Sequence, residues 1–118
     1  MVIAVCGAGA AVLVLTGEII IGLWTHHKVE YDSTLFVAFV VVAFITCWWQ
    51  IGMVVIAATN SHQRFSWAYL ASAAAAVAVA GLVARPAGML GCVAALGAAE
   101  VAMLILSRRT VARIVGPR

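Results

Sequence analysis

The sequence predicts an all-α integral membrane protein in which four transmembrane helices form an antiparallel bundle. Hydrophobic residues occupy 66% of the 118 positions and charged residues only 9%, whereas soluble domains carry about 45–50% apolar and roughly 25% charged residues. Four apolar runs, at about residues 2–24, 34–59, 67–84 and 88–106, each approach the roughly 20 residues that cross a bilayer as a helix. Residues 1–118 are therefore expected to form a single transmembrane unit in contact with the lipid bilayer.

Short polar segments separate these runs. Residues 25–33 and 60–66 are expected to form loops, and Arg85-Pro86-Ala87-Gly88 is expected to form a tight turn. Residues 107–118 form a basic tail. Strands of a membrane barrel are excluded, because they are about 10 residues long and alternate in polarity.

The positions of the basic residues predict the orientation. With four spans, the amino terminus, the 60–66 link and the tail share one side of the membrane, which then holds Arg64, Arg108, Arg109, Arg113 and Arg118. The opposite side holds only Lys28 and Arg85. The positive-inside rule therefore predicts that both termini are cytoplasmic, in the cell membrane. The net charge of +3 thus comes from basic residues whose positions suit a membrane protein, and no nucleic-acid partner is predicted.

Three polar side chains inside the apolar runs are candidates for a substrate or proton pathway: Glu18, Glu100 and Gln50. A carboxylate at the bilayer centre costs roughly 2.5–3.5 kcal/mol on insertion scales, so such residues usually face protein or a water-filled cavity. The alternative is that each carboxyl group is protonated or hydrogen-bonded where two helices meet. Gln50 follows Trp48 and Trp49, for which simple packing is the alternative.

No catalytic signature occurs in the sequence, so the protein is predicted not to be an enzyme and to need neither a cofactor nor a metal. Small residues recur at helical spacing in the third and fourth runs, among them Ser72, Ala76, Ala95 and Ala99. Spacing of this kind lets helix backbones approach closely, so these residues are expected to lie at helix contacts.

The chain resembles the carboxy-terminal part of polysaccharide and oligosaccharide-lipid flippases, in the multidrug/oligosaccharidyl-lipid/polysaccharide exporter superfamily. One feature is a helix that ends in Gly22-Leu23-Trp24 before a short outer loop. Two longer segments also match. The first reads Ala57-Ala58-Thr59-Asn60-Ser61-His62-Gln63-Arg64, and the second reads Arg85-Pro86-Ala87-Gly88-Met89-Leu90-Gly91-Cys92-Val93-Ala94. Glu100 follows, as a glutamate often does late in that family's last helix. Gly88 and Gly91 match glycines of the family, for which the resemblance implies a packing role.

The resemblance implies transport of a lipid-linked oligosaccharide or polysaccharide precursor across the cytoplasmic membrane. Such proteins usually have about 12 to 14 helices, with two helix bundles that rock around a central site. This chain would then be a fragment or part of a flippase, and its partners would be the remaining transporter helices or further copies of itself.

Two other functions remain open. A small four-helix, proton-coupled multidrug exporter would also carry a glutamate in its first helix, although here Gly17 precedes Glu18 where that family has alanine. A membrane subunit that does not itself transport is the second alternative, supported by the small-residue spacing.

Overall fold

The protein folds into three long helices. The computed structural model describes residues 2–60 and 62–116, so the predicted cytoplasmic Arg118 lies outside the described residues. The helices are α1 (Val2–Thr25), α2 (Ser33–Ala58) and α3 (His62–Val115). Each is long and apolar enough to span a membrane, as expected of a membrane protein. The all-α class is confirmed, but the count of four helices is not matched, because the predicted third and fourth helices are both parts of α3.

Helix α3 turns back on itself at Gly88. A straight helix of its 54 residues would be about 81 Å long, yet the longest dimension of the molecule is 56 Å. The Sγ atom of Cys92 lies 3.6 Å from the carbonyl oxygen of Ala80, a contact that a straight helix would not permit. We call residues 62–87 the first arm of α3 and residues 89–115 the second arm.

The two arms pack through small side chains. Ser72 and Ala76 of the first arm and Ala95 and Ala99 of the second line one shared groove, and Ala76 is buried. Small residues of both predicted rows therefore lie at a helix contact, which in the structure joins the two arms. Close approach of the arms follows from the small volume of these side chains.

Helical structure extends into the predicted 60–66 loop and through most of the basic tail. The polar link ends at His62, where α3 begins, and the basic tail is helical as far as Val115. The hydroxyl of Ser66 donates to the carbonyl oxygen of His62 at 2.9 Å, and glutamine and arginine in this stretch have high helix propensity. At the other end, Arg113 lies in the last turn, where a cation interacts favourably with the helix dipole.

Local capping fixes the connection between α1 and α2. Asp32 is the N-cap of α2, and its carboxylate accepts hydrogen bonds from the backbone N–H groups of Thr34 and Leu35 at 2.9 and 3.1 Å. The Tyr31 and Phe36 rings, 5.6 Å apart, form the hydrophobic staple that often accompanies such a cap. The loop carboxylate at position 32 therefore has a structural role in starting the second span.

Helix α1 ends in a Schellman motif. The backbone N–H of His27 donates to the carbonyl oxygen of Gly22 at 2.9 Å, and that of His26 donates to Leu23 at 3.4 Å. His26 has a φ of 51°, in the left-handed region that this motif requires. The imidazole of His27 packs on Gly22, where a Cβ would lie 2.8 Å from its Cε1 atom.

Helix α2 is the central element of an open arrangement. It contacts α1 on one side and both arms of α3 on the other, whereas α1 and α3 do not contact each other among the described residues. The molecule measures 36 Å by 17 Å across its long axis, which is flatter than the bundle that we predicted. Helix α1 is thus an outer helix with one face uncovered.

The protein itself covers little of its apolar surface. Its accessible surface is 8427 Å², whereas a compact soluble protein of 12.3 kDa exposes roughly 6,100 Å². The main core cluster consists of Trp49, Ile56, Phe65 and Met103. The remaining apolar surface needs a non-aqueous neighbour, as a lipid bilayer provides.

We expect Gly88→Ala to destabilise the fold by about 1–3 kcal/mol, because its backbone lies in a region that is essentially restricted to glycine. The φ and ψ angles of Gly88 are 60° and −155°. The free energy of unfolding can be measured by titrating the protein in mixed micelles with a denaturing detergent.

Gly81→Ala is the matched control. Gly81 lies within the first arm, and a Cβ there would meet nothing within 4 Å. Removing a glycine from a helix interior stabilises it by about 0.5–1 kcal/mol. Equal effects of the two substitutions would contradict a special backbone requirement at Gly88.

Candidate functional site

The central polar contact of the molecule joins α2 to the second arm of α3. The indole N–H of Trp49 donates to the Oε2 atom of Glu100 at 2.5 Å. Trp49 is buried and Glu100 is half-buried. One of the predicted intramembrane carboxylates therefore has a protein hydrogen-bond partner, and that partner is an uncharged donor.

Aromatic packing holds the Trp49 indole in position. Its ring lies 5.8 Å from that of Phe65 and 5.5 Å from that of Tyr69, both on the first arm. Both pairs are tilted, with centroid separations in the range that favours aromatic contacts. Because Glu100 lies on the second arm, a single α2 side chain ties together three helical segments.

A second hydrogen bond crosses the same interface about two turns further along α3. Ser107 is 2% exposed, and its hydroxyl donates to the backbone carbonyl oxygen of Trp49 at 3.3 Å. Gly52 makes room for this hydroxyl, because a Cβ at that position would collide with the Ser107 Oγ atom. The helices approach closely here because α2 has no side chain at position 52.

A groove beside this interface has a volume of about 750 Å³ and is open to the surroundings. Trp48, Ser107 and Arg108 are among its lining residues. The Arg108 guanidinium lies 4.8 Å from the centre of the Trp48 ring, a cation–π arrangement. The groove is mainly apolar, with one cation at its edge.

Glu18 lies apart from this interface. Its side chain is exposed on α1 and makes no hydrogen bond or ion pair with the described part of the chain. The neighbouring Gly17 is buried, and a Cβ there would collide with the Phe36 ring. Gly17 therefore faces α2, while Glu18 faces away from it into the surroundings.

The three pathway candidates do not converge on one site. Gln50 is exposed although it is adjacent in sequence to buried Trp49. Glu18 is on α1, which does not contact α3, so Glu18 and Glu100 are not brought together. Within the described residues, Glu100 is the one candidate of the three that forms a hydrogen bond between helices, in agreement with the hydrogen-bonded alternative for this residue.

The two glycines implied by the resemblance differ in their surroundings. A Cβ at Gly91 would lie 2.6 Å from the Cβ of Ala87, so Gly91 permits close packing beside the turn. A Cβ at Gly88 would meet nothing within 4 Å. The requirement for glycine at position 88 therefore comes from its positive φ.

Sequence reasoning did not identify Gly52 or Ser107, nor the pairing of Trp49 with Glu100. A signal was present in the helical spacing. Trp49, Gly52 and Ile56 share one face of α2, and Glu100, Met103 and Ser107 share one face of α3, since residues at i, i+3 or i+4, and i+7 align. The spacing identifies each face but not which faces meet.

Comparison of the chain with protein-family models, with curated proteins and with solved structures finds no match. The resemblance to the flippases therefore stays a prediction.

We expect Trp49→Phe to destabilise the protein by about 1–3 kcal/mol, because the half-buried Glu100 carboxyl group loses its donor. Glu100→Gln should change stability by about 1 kcal/mol or less, since the amide oxygen still accepts from the indole. Unfolding in mixed micelles would report both effects.

Trp48→Phe is the control for loss of an indole. Trp48 packs on Phe44 and Arg108, and it donates no hydrogen bond within the described residues. Loss of part of a cation–π contact should cost about 0.5–1 kcal/mol. If Trp48→Phe were as destabilising as Trp49→Phe, the hydrogen bond to Glu100 would not be the cause.

Proposed function

We propose that this protein is a helical unit of a larger transporter in the cytoplasmic membrane, and that the transporter moves a lipid-linked oligosaccharide or polysaccharide precursor. The observation that most supports assembly into a larger protein is the exposed carboxyl group of Glu18 on an outer, apolar helix. A carboxyl group in contact with lipid hydrocarbon is costly, so such a residue normally faces protein or a water-filled cavity. Further helices beside α1 would supply that environment.

The open arrangement of the helices supports assembly. Among the described helices, α2 alone contacts α1, and the opposite side of α1 carries Leu15 and Ile19, which are 81% and 64% exposed. Leu15, Glu18 and Ile19 lie at i, i+3 and i+4, so they share one face. We call these three residues the α1 outer face. It combines an apolar surface with one ionisable group, as expected of a helix that borders a transport pathway.

The cargo assignment rests on the sequence resemblance at residues 57–64 and 85–94. The geometry is compatible with that proposal in one respect: the link between α2 and α3 and the end of α3 lie at the same end of the molecule, since Asn60, Arg64 and Arg113 line one cavity. We place this end in the cytoplasm, following the excess of arginine there.

Cross-linking should detect the neighbouring helices. In a variant without the native cysteines, Ile19→Cys in intact membranes should form a cross-linked product with a different, larger polypeptide. Val77→Cys, on the first arm of α3 and 68% exposed, is a control of similar exposure. A cross-linked homodimer through Ile19→Cys would instead favour the small four-helix exporter, and no product at all would contradict assembly through the α1 outer face.

Transport can be measured in inverted membrane vesicles from the native host, which contain the whole assembly. Vesicles lacking this chain should not move a radiolabelled lipid-linked sugar to the side protected from added hydrolase. The wild-type chain should restore protection and Glu18→Gln should not, because it removes the ionisable group.

Glu30→Gln, outside the helices, should restore protection as well as the wild type does. Unchanged protection in vesicles lacking the chain would overturn the proposed cargo. Protection restored by Glu18→Gln would show that the Glu18 carboxyl group has no role in transport.

A further inference from the structure

A polar cavity lies between the beginning of the first arm of α3 and the end of the second. Its volume is about 540 Å³. Asn60, Gln63 and Arg64 contribute from the α2–α3 link and the first arm, and Thr110 and Arg113 contribute from the second arm. Two stretches about 50 residues apart in sequence thus place five polar side chains around one opening.

The charged residues that line this cavity are both arginines, within the part of the chain that the structure describes. Arg64 and Arg113 both line it, and no aspartate or glutamate does. Neither arginine forms an ion pair with any part of the chain that the structure describes. The four acidic residues of the protein are Glu18, Glu30, Asp32 and Glu100. Both arginines are exposed, and two arginines that line one cavity without a carboxylate create a site of positive potential that an anion would neutralise.

The chemistry of the lining favours a phosphate group. Guanidinium groups present forked N–H donors that match phosphate oxygens, and such charge-assisted hydrogen bonds are stronger than neutral ones. The side-chain amides of Asn60 and Gln63 add uncharged donors. The Thr110 hydroxyl donates to the Leu106 carbonyl oxygen at 2.8 Å, so it contributes polarity but not a free donor.

The floor of the cavity is apolar. Phe65, which is 3% exposed, lines it together with Leu106 and Ile114. An apolar floor below a cationic rim suits an amphipathic anion better than a small inorganic ion, because the hydrocarbon part of the ligand would cover the floor.

The cavity also lies at the membrane depth expected of lipid headgroups. Arg64 precedes Gly88 by 24 positions and Arg113 follows it by 25, so each lies about 36–38 Å from the turn along its arm. The hydrocarbon core of a bilayer is about 30 Å thick. If the turn lies at one membrane surface, both arginines reach the headgroup layer of the other.

We propose that this cavity binds the phosphate headgroup of an anionic phospholipid, with Arg64 and Arg113 as the phosphate-binding residues. The acyl chains of the bound lipid run from the phosphate towards the bilayer centre, along Leu106. The site requires that α3 spans a membrane, but it does not depend on the transported cargo and would exist in a subunit that transports nothing.

Native mass spectrometry of the full chain can test the site. The protein in a mild, uncharged detergent would be titrated with phosphatidylglycerol and, separately, with phosphatidylcholine. We expect one tightly retained phosphatidylglycerol and weaker retention of phosphatidylcholine. Arg64→Gln and Arg113→Gln should each weaken phosphatidylglycerol binding about tenfold, the loss typical of a charge-assisted hydrogen bond. Arg64→Lys and Arg113→Lys, which keep the charge, should retain part of the affinity.

Arg109→Gln is the matched control. Arg109 lies one helical turn before Arg113 and is also exposed, but it does not line the cavity. If Arg109→Gln weakened binding as much as the two lining substitutions, the attraction would be diffuse and the proposal would be overturned. Inorganic phosphate is the second probe, and its binding with an affinity equal to that of the lipid would show a free-anion site instead.

A measurement on the wild-type protein keeps the test independent of variant folding. Photoreactive phosphatidylglycerol incorporated into nanodiscs with the protein should label peptides that contain residues 60–65 and 106–114. Labelling confined to the opposite end of the helices, near Lys28 and Arg85, would contradict the assigned site.

Discussion

The apolar surroundings of the helices impose the main constraint on this structure. The spans bury little of their hydrophobic surface against one another, so the exterior is stable only where the solvent is itself apolar. In such a solvent an unsatisfied polar group is expensive, and each one must find a partner inside the protein. The Thr16, Thr46 and Thr110 hydroxyls illustrate this, since each donates to a backbone carbonyl one turn earlier. The constraint selects helices and leaves few polar side chains free to define contacts between them.

Trp49 meets this constraint where three helical segments join. Its indole N–H and the Glu100 carboxyl group satisfy each other, while its ring fills the space beside Phe65 and Tyr69. The absence of a side chain at Gly52 and the hydroxyl at Ser107 allow the backbones to approach on the same interface. Packing and hydrogen bonding therefore reinforce each other at one place. Glu18, by contrast, has neither kind of contact within the described residues. We therefore assign a structural role to the Glu100 carboxyl group and propose a partner outside this chain for that of Glu18.

The sequence was a good guide to the spans and a poor guide to their connections. Hydropathy reports which residues lipid can solvate, and it therefore located the apolar runs. It does not report helicity, so it missed that Gln63, Arg64 and Ser66 continue a helix beyond the lipid. A tight turn was expected at residues 85–88, and the structure has a sharp bend within α3 at Gly88.

The sequence could suggest that Glu100 forms a hydrogen bond between helices, but not which residue is its partner. A hydrogen bond at a helix contact was one of two readings of that residue, and nothing local distinguishes Trp49 from Trp48 as its donor. The choice depends on the register of α2 against α3, across 51 positions of sequence. Register is decided by many weak contacts together, including the Gly52–Ser107 and Gly97–Val42 approaches, and these cannot be read from one chain.

The seam between α1 and α2 differs in kind from the interface between α2 and α3. It is lined by Gly7, Ala11, Val14, Val40 and Phe44, and no side-chain hydrogen bond crosses it among the residues described. Its specificity comes from shape instead, as where the Phe36 ring fills the space left by the missing side chain of Gly17. Hydrogen bonds therefore fix the α3 hairpin to α2, whereas the position of α1 beside α2, and with it the depth of its acidic residue, depends on packing and on the short capped connection between the two helices.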